Sequence, residues 1–397
     1  MIIETAHRLR TLKEYYFSKK LREVKALMLE GKPVINIGIG SPDLPPSQNT
    51  IKALVETANS AHSHGYQSYK GIDDLRNEMA NWYDKTYNVE INPEEEILPL
   101  LGSKEGITHI SLAFLNPGDK VLVPELAYPA YQSVAEMIGA QVIRYPLIED
   151  EWTPDWENMK KLDLQGVKMM WVNYPNMPTG EPASKELFDE IIDFALENKI
   201  LVCHDNPYSL ILNTSKPISI LSSPRAKECA IELSSLSKSH NMAGWRVGWI
   251  SGSKDYIDAI LKVKSNVDSG MFLGTQKAAI AALQESEEWH DERNKEYSER
   301  KSLVFDILNK LECEFDQSQT GMFIWAKVNS KVMDVEHLVD YLLYEYNVFL
   351  TPGFIFGDKG KRYIRISLCT NQEKLQEVNQ RIESLELEKI NQFELHK

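Results

Sequence analysis

Five short apolar runs dominate the middle of the chain: KVLVPE (120–125), QVIRYPL (141–147), VKMMWVNYP (167–175), ILVCHDNPY (200–208) and AIELSSLSK (230–238). Each is rich in valine, isoleucine or aromatic residues, and long segments capable of forming helices separate them. That alternation predicts an α/β fold, a mostly parallel sheet sandwiched by helices. One connecting segment, SKELFDEIIDFALENK (184–199), shows the helical half of the pattern. Its Leu187, Phe188, Ile191, Ile192 and Ala195 fall on one face, and Ser184 stands where an N-cap belongs.

Past SGSKDYIDAILKVKSNVDSG (251–270) the pattern changes. The polar stretch from Thr275 to Leu311 predicts one extended helix leaving the sheet. Strand-like GMFIWAKV (321–328), helix-like DVEHLVDYLLYEY (334–346), strand-like RYIRISLC (362–369) and a final charged helix then read as a separate α+β lobe. A chain of 397 residues suits two or three lobes. We expect a large unit over 46–290 and a smaller α+β unit formed by 1–45 with 291–397. The first 45 residues carry no strong sheet pattern and fit against either lobe.

Composition removes several classes of function. Lysine and arginine number 44 against 58 acidic residues, a net charge of −14, which argues against a general nucleic-acid or anionic-membrane surface. Cys203, Cys229, Cys313 and Cys369 lie far apart, with the spacing of neither a disulfide framework nor a metal site. They read as reduced thiols in the core. The charged N-terminal segment lacks the apolar stretch of a secretory signal, and the longest nearly uncharged run, GITHISLAFLNPG (106–118), is too short to span a bilayer. A soluble cytoplasmic protein without metal is the expectation.

In open α/β sheets, ligands gather beyond the carboxyl ends of the strands. ILPLLGSKEGI (97–107) passes from an apolar strand through Gly102, Ser103 and Lys104 into a helix, a turn suited to an anion and equally to a plain connection. ILVCHDNPY places Asp205 at a strand end with Tyr208 three residues on. A carboxylate there needs a partner or caps the turn before Pro207. VNYPNMPTG (172–180) reads as a loop carrying Asn173 and Asn176. SLSKSHNMAGWRVGW (235–249) adds Lys238, whose amine becomes a better nucleophile if desolvated, and Arg246, whose fork suits phosphate. Gly244 between them is expected to permit the bend that brings both to one ligand, while His240 reads as packed or solvated. A phosphate cradle, an acid for a ring nitrogen and an imine-forming lysine are together what pyridoxal 5'-phosphate requires.

With these motifs in order over nearly its whole length, the chain resembles the fold-type I pyridoxal-phosphate aminotransferases of class I/II, the aspartate aminotransferase-like group. GSKEGI and NVDSGMF lean toward the branch containing LL-diaminopimelate and aspartate or aromatic enzymes. The resemblance implies that Lys238 carries the internal Schiff base and that Ser235 and Arg246 hold the phosphate with the backbone of Gly102, Ser103 and Lys104. It gives Asp205 the pyridine nitrogen, Tyr208 the phenolic oxygen, Tyr128 the ring face and Arg365, in RYIRISLC, the substrate α-carboxylate, with a backbone contact from Gly40. Neighbouring Arg362 reads as a solvated surface charge. Tyr66, in HGYQSYKGIDDLR (64–76), would reach the phosphate of a neighbouring subunit, so a homodimer with shared sites is implied.

The implied reaction is a ping-pong transfer of an amino group between an L-amino acid and a 2-oxo acid. A cystathionine β-lyase-like elimination on the same cofactor is the alternative. A transcription regulator would need a DNA-reading domain, for which the chain has neither room before residue 35 nor a basic recognition helix. An inactive relative is disfavoured by the joint presence of Lys238, Asp205, Tyr208, Arg246 and Arg365. One position departs from the family: Met177 precedes Pro-Thr-Gly where an asparagine usually bonds the phenolic oxygen, leaving Asn173 or Asn176 as substitutes. Losing a hydrogen bond to an ionised oxygen costs roughly 1.5 to 3 kcal/mol. Met177→Asn is therefore expected to shift the pH at which the bound cofactor's absorbance titrates. An unmoved spectral titration would remove that reading of Met177.

Overall fold

The computed structural model describes residues 3–9 and 16–393. Parts of the smaller unit expected at both ends, residues 1–2, 10–15 and 394–397, lie outside the described residues. Twelve strands follow in order: β1 (Ile35–Asn36), β2 (Ile97–Leu100), β3 (Lys120–Pro124), β4 (Gln141–Tyr145), β5 (Val167–Val172), β6 (Leu201–Asn206), β7 (Ala230–Ser235), β8 (Gly248–Gly252), β9 (Phe323–Lys327), β10 (Val348–Phe349), β11 (Thr351–Pro352) and β12 (Tyr363–Ser367). Seven form one sheet in the order β2-β8-β7-β6-β5-β3-β4. The five runs read from the sequence all lie in it and pair in parallel, with β4 at the edge.

Of the other two members, β2 is the apolar strand expected before Gly102, while β8 shows the limits of that reading. β8 runs antiparallel between β2 and β7, within a segment that looks in sequence like a loop of cations and glycines. The helix Lys185–Asn198 forms as expected, with Ser184 accepting from the Leu187 amide and all five predicted apolar residues buried. Two packed clusters, one on each side of the sheet, divide the core. All four cysteines are free and buried. Among the described residues no helix is long and apolar enough to cross a membrane.

The extended helix expected over 275–311 is two helices, Leu273–Leu283 and Glu287–Lys310. Ser286 breaks it by capping the second one, accepting from the Trp289 amide. A side-chain cap competes with helix continuation at such a residue. A three-stranded sheet, β11-β12-β9, and the pair β1-β10 account for the other strands. The N-terminal segment thus joins the C-terminal lobe: Ile35 and Asn36 pair with Val348 and Phe349, and Lys20 meets Asp340 at 2.6 Å across two helices. Arg362 departs from its reading as a solvated charge. It donates to the carbonyl oxygens of Val328, Asn329, Val332 and Met333 and so staples the turn after β9.

Arg300, on the long helix, fixes the segment that leads from β1 into the site. Its buried guanidinium bonds both oxygens of Asp43 at 2.6 and 3.1 Å, Glu296 at 2.8 Å and the Leu368 carbonyl at 2.9 Å. Asp43 is three residues past Gly40. Arg300→Met strands a partly solvated carboxylate and is expected to cost about 2–3 kcal/mol in urea unfolding. Unfolding equal to the parent would show that the bond holds nothing in place.

Candidate active site

The parallel strands deliver their carboxyl ends to one cavity of about 430 Å³. After β2 the chain turns at Gly102, with φ +87°, into the helix Ser103–Phe114. A Cβ at Gly102 would lie 2.1 Å from Arg246 Nη2, so glycine serves both the left-handed backbone and the close approach of the guanidinium. The helix start, with its free amides and dipole, therefore sits beside Arg246. After β7, Ser235 caps the one-turn helix Leu236–Ser239, its Oγ accepting from the Ser237 amide at 3.1 Å. Arg246 Nη1 lies 3.3 Å from Ser237 Oγ and 2.9 Å from the Ala243 carbonyl.

The bend between Lys238 and Arg246 differs from the expectation placed on Gly244. Among residues 239–246 the positive φ values belong to Asn241, at 56°, and Arg246, at 57°, and a Cβ on Gly244 would meet nothing within 4 Å. The turn's strain is thus carried by residues with side-chain anchors. Asn241 donates to the Pro45 carbonyl.

Lys238 projects into the cavity and donates to the Gly40 carbonyl. Burial lowers its pKa, and the charges of Arg365 and Arg246 push the same way. Gly40 itself packs so closely on Phe323 that a Cβ would fall 2.2 Å from the ring, leaving room there for backbone alone. Asp205 is buried at the end of β6. Its Oδ2 accepts the Tyr131 hydroxyl at 2.7 Å and its backbone carbonyl accepts Asn173 Nδ2 at 2.6 Å. Oδ1 has no hydrogen-bond partner among the described residues. Burial pushes this carboxyl up to about 6, opposed by the Tyr131 bond and by the charges of His204 and Lys238.

Arg365 on β12 reaches the opposite wall. Its guanidinium lies 3.9 Å over the Phe323 ring and 4.7 Å over Phe356, with Nη2 3.0 Å from the Gly38 carbonyl and Nη1 3.3 Å from Met177 Sδ. Tyr128 and Tyr208 line the cavity between these cations, Tyr208 meeting the Phe323 ring edge-on.

Most of the residues expected at a site therefore converge: Gly40, Ser103, Lys104, Tyr128, Asn173, Asp205, Tyr208, Ser235, Lys238, Arg246 and Arg365 line the one cavity, with Gly102 behind Arg246. Asn176 does not. Its side chain is spent within its own loop on the Asn173 carbonyl and on Thr179. Asn173 is also committed, accepting the Met177 amide at 2.8 Å. Tyr66 lies apart from the cavity and is 93% exposed. His240 is buried against His290 and bonded to Ser239. Sequence reasoning missed Tyr131, Ser237 and Phe323. Tyr131 was findable, because it follows Tyr128 by three residues at the start of the helix Pro129–Ile138, where that spacing shares a face.

The donor set fits pyridoxal phosphate. A helix start with two serines and an arginine suits a phosphate, and a buried amine of lowered pKa suits an aldehyde. The orphaned Asp205 Oδ1 suits a protonated ring nitrogen, which would satisfy an anion that the protein leaves half-paired.

The sequence model of the family described as "Aminotransferase class I and II" matches residues 32–382. LL-diaminopimelate aminotransferase of Aquifex aeolicus is 38% identical over 388 residues, covering 97% of this chain and 100% of that protein. The enzyme of the same name from Halothermothrix orenii is 35% identical, covering 97% and 99%. Among solved structures, substrate-bound BacF of Bacillus subtilis superposes with a TM-score of 0.90 at 35% identity over 96% of this chain and 98% of that one. An aminotransferase from Staphylococcus aureus gives 0.86 at 31%, over 96% and 99%. These relatives do not favour the lyase alternative.

The burial of Asp205 has a cost that can be measured. In the folded chain it ionises only above about 6, whereas unfolded it ionises in the ordinary carboxylate range. The unfolded state therefore gives up its proton first, and the stability of the cofactor-free protein falls as pH rises from about 4 to about 6, by up to roughly 3 kcal/mol. Asp205→Asn is expected to raise the melting temperature of the cofactor-free protein at neutral pH while weakening cofactor binding. A variant no more stable than the parent would remove the burial argument.

Proposed function

The chain belongs to the class I and II aminotransferases, a pyridoxal-phosphate-dependent family acting on amino acids and 2-oxo acids, and on that footing we propose how its residues divide the work. The observation that carries the proposal is the convergence of Lys238, Asp205, Arg246 and Arg365 on one cavity. The cofactor, when bound, supplies an aldehyde and an electron-accepting ring. Arg246, Ser235, Ser237 and the amides of Ser103 and Lys104 bind its phosphate. Asp205 holds the positive charge on the ring nitrogen through Oδ1, and Tyr128 covers a ring face. Tyr208 directs its hydroxyl to the phenolic oxygen, as burial keeps that phenol protonated. Arg365 orients the substrate α-carboxylate. Lys238 Nζ, kept toward its neutral form by burial and two guanidinium groups, accepts the Cα proton. The aromatic walls exclude water from that transfer.

For the donor we propose LL-diaminopimelate, the substrate in the names of the two curated relatives above. Its second carboxylate would meet Lys104, the lining cation not otherwise used by its side chain in this scheme. A second reading rests on Phe17, Ile39, Ile355 and Phe356, apolar residues of the same cavity that suit an apolar amino acid. We also propose a homodimer with shared sites. Tyr66 at 93% exposure, Val267 at 62% and Phe272 at 40% leave an apolar surface where the 64–72 and 267–272 segments pack together, a surface a second copy would cover.

Single-turnover absorbance changes with LL-diaminopimelate and with apolar L-amino acids separate the two donors, and silence from every amino acid would sink the scheme. Lys238→Ala is expected to lower turnover by about 100-fold or more. Tyr66→Ala is expected to weaken cofactor retention, with recovery in heterodimers formed with Lys238→Ala. Retention unchanged in Tyr66→Ala would argue against shared sites.

A further inference from the structure

The exposed segment that carries Tyr66 is held from beneath by buried polar groups that do not line the cavity. Gln276, on the helix Leu273–Leu283, is 0% exposed. Its Oε1 accepts the Ile72 amide at 2.8 Å and its Nε2 donates to the Met271 carbonyl at 2.7 Å. One partner is an N–H and the other a carbonyl, so a single orientation of the side-chain amide serves both and ties the end of the 64–72 segment to the end of the 267–272 segment. Gly71 presses into the same corner: a Cβ there would lie 3.1 Å from Gln276 Oε1 and 3.0 Å from Pro99 Cγ on β2, the strand that leads to the turn at Gly102. Arg76, also buried, donates from Nη1 to the Gly71 carbonyl at 2.9 Å. Nearer the loop tip, Lys264 Nζ donates to both oxygens of Asp268 at 2.8 Å, and Asp268 Oδ1 accepts the Gly270 amide at 2.8 Å. Gly270, at φ +86°, lies so close to the backbone beside Tyr66 that a Cβ would fall 2.7 Å from the Gln67 carbonyl oxygen and 2.9 Å from that of Ser68.

We propose that Gln276 is a positioning residue that presents Tyr66 to a second copy of the chain, with Gly270 as the close contact through which its hold reaches the backbone beside Tyr66. The inference rests on the reading given above that Tyr66 serves the phosphate site of a neighbouring subunit. At 93% exposure the Tyr66 ring has little of its own chain to lean on, so its place is set by its backbone. A surface segment left free would lose conformational freedom on docking, and fixing it beforehand spares that loss at the moment of association. The clamp grips backbone groups at Ile72, Met271 and Gly71 and so leaves the outward side chains to the partner. A buried amide adds little net stability over an apolar residue of the same shape; what it adds is direction. The corner that holds Gly71 rests on β2, which runs into this chain's own anion-facing turn. The tyrosine offered to a partner and the cradle that receives the partner's tyrosine thus stand on one footing.

Gln276→Met keeps the volume and removes both hydrogen bonds. Cofactor retention on dialysis is expected to weaken about tenfold in that variant, the order set by two lost hydrogen bonds. Gly270→Ala, on a partly exposed segment, is expected to act in the same direction through its clash with Gln67 and Ser68, and it carries the test if Gln276→Met does not fold. In a Tyr66→Ala background neither change is expected to weaken retention further, because the residue they position is gone. Heterodimers with Lys238→Ala separate positioning from a role in the fold. There, cofactor joined to lysine reports only the site that keeps Lys238, and that site takes its tyrosine from the chain whose clamp is intact, so retention like the parent's is expected. Weak retention persisting in the heterodimers overturns the proposal, as do parental retention in both variant homodimers or elution of the variants as monomers. If Tyr66→Ala itself retains cofactor like the parent, the shared-site reading fails and the inference falls with it, so that one variant tells the two failures apart.

Discussion

A carboxylate buried at the end of a parallel strand, with one oxygen paired and the other left bare, is the constraint around which this site is built. Asp205 cannot be solvated where it stands, and its protein partners satisfy only part of its hydrogen-bonding capacity. Such a group is unfavourable in the empty protein and favourable only against a cation that arrives with the ligand. The surrounding structure is consistent with that bargain. Tyr131 is wedged flat on Trp171 with ring centres 4.7 Å apart, which fixes its hydroxyl toward Oδ2, while Asn173 fixes the backbone of the same residue. The bare oxygen is thus aimed by its neighbours and has little freedom to find another partner.

The same logic governs the cations. Lys238, Arg246 and Arg365 line a cavity with Asp205 as the one acidic side chain, and exposed Lys104 adds a fourth positive charge. In a chain of net charge −14 this is a local reversal of sign. Like charges close together in a low-dielectric space raise each other's free energy, and the lysine, which can release a proton, is the one that yields. Burial above all lowers the pKa of Lys238, and the Arg365 and Arg246 guanidinium groups act in the same direction. In the roles proposed above, phosphate and carboxylate anions would neutralise the arginines.

The alternation of apolar runs with amphipathic segments made the large sheet legible, because strands covered on both faces are predominantly apolar. The site residues were legible wherever chemistry and strand end coincided, as at Asp205, Lys238 and Arg246. What stayed hidden depended on long-range geometry. β8 carries a glycine at each end and follows a turn of cations, so nothing local marks it as a central strand; its place is set by pairing with β2 and β7. Arg362 looks like any surface arginine until four carbonyls 29 to 34 residues away converge on it. His204 and Glu232 lie in strands 28 residues apart, and the register that makes them a pair cannot be read from either strand alone.

Met177 ties the two halves of the cavity together. Its backbone amide bonds Asn173, which in turn holds Asp205, while its sulfur meets the Arg365 guanidinium at 3.3 Å. A thioether is a weak acceptor that cannot compete with a carboxylate for an arginine. It therefore fills space beside Arg365 without neutralising it, and the guanidinium keeps its Coulombic demand for an anion. The aromatic rings of Phe323 and Phe356 act alike, steadying the cation through their faces. An asparagine or carboxylate in place of the sulfur would present a stronger acceptor to Nη1 and weaken that demand. The apolar character of position 177 thus belongs to the surroundings of Arg365 as much as to the loop that carries it.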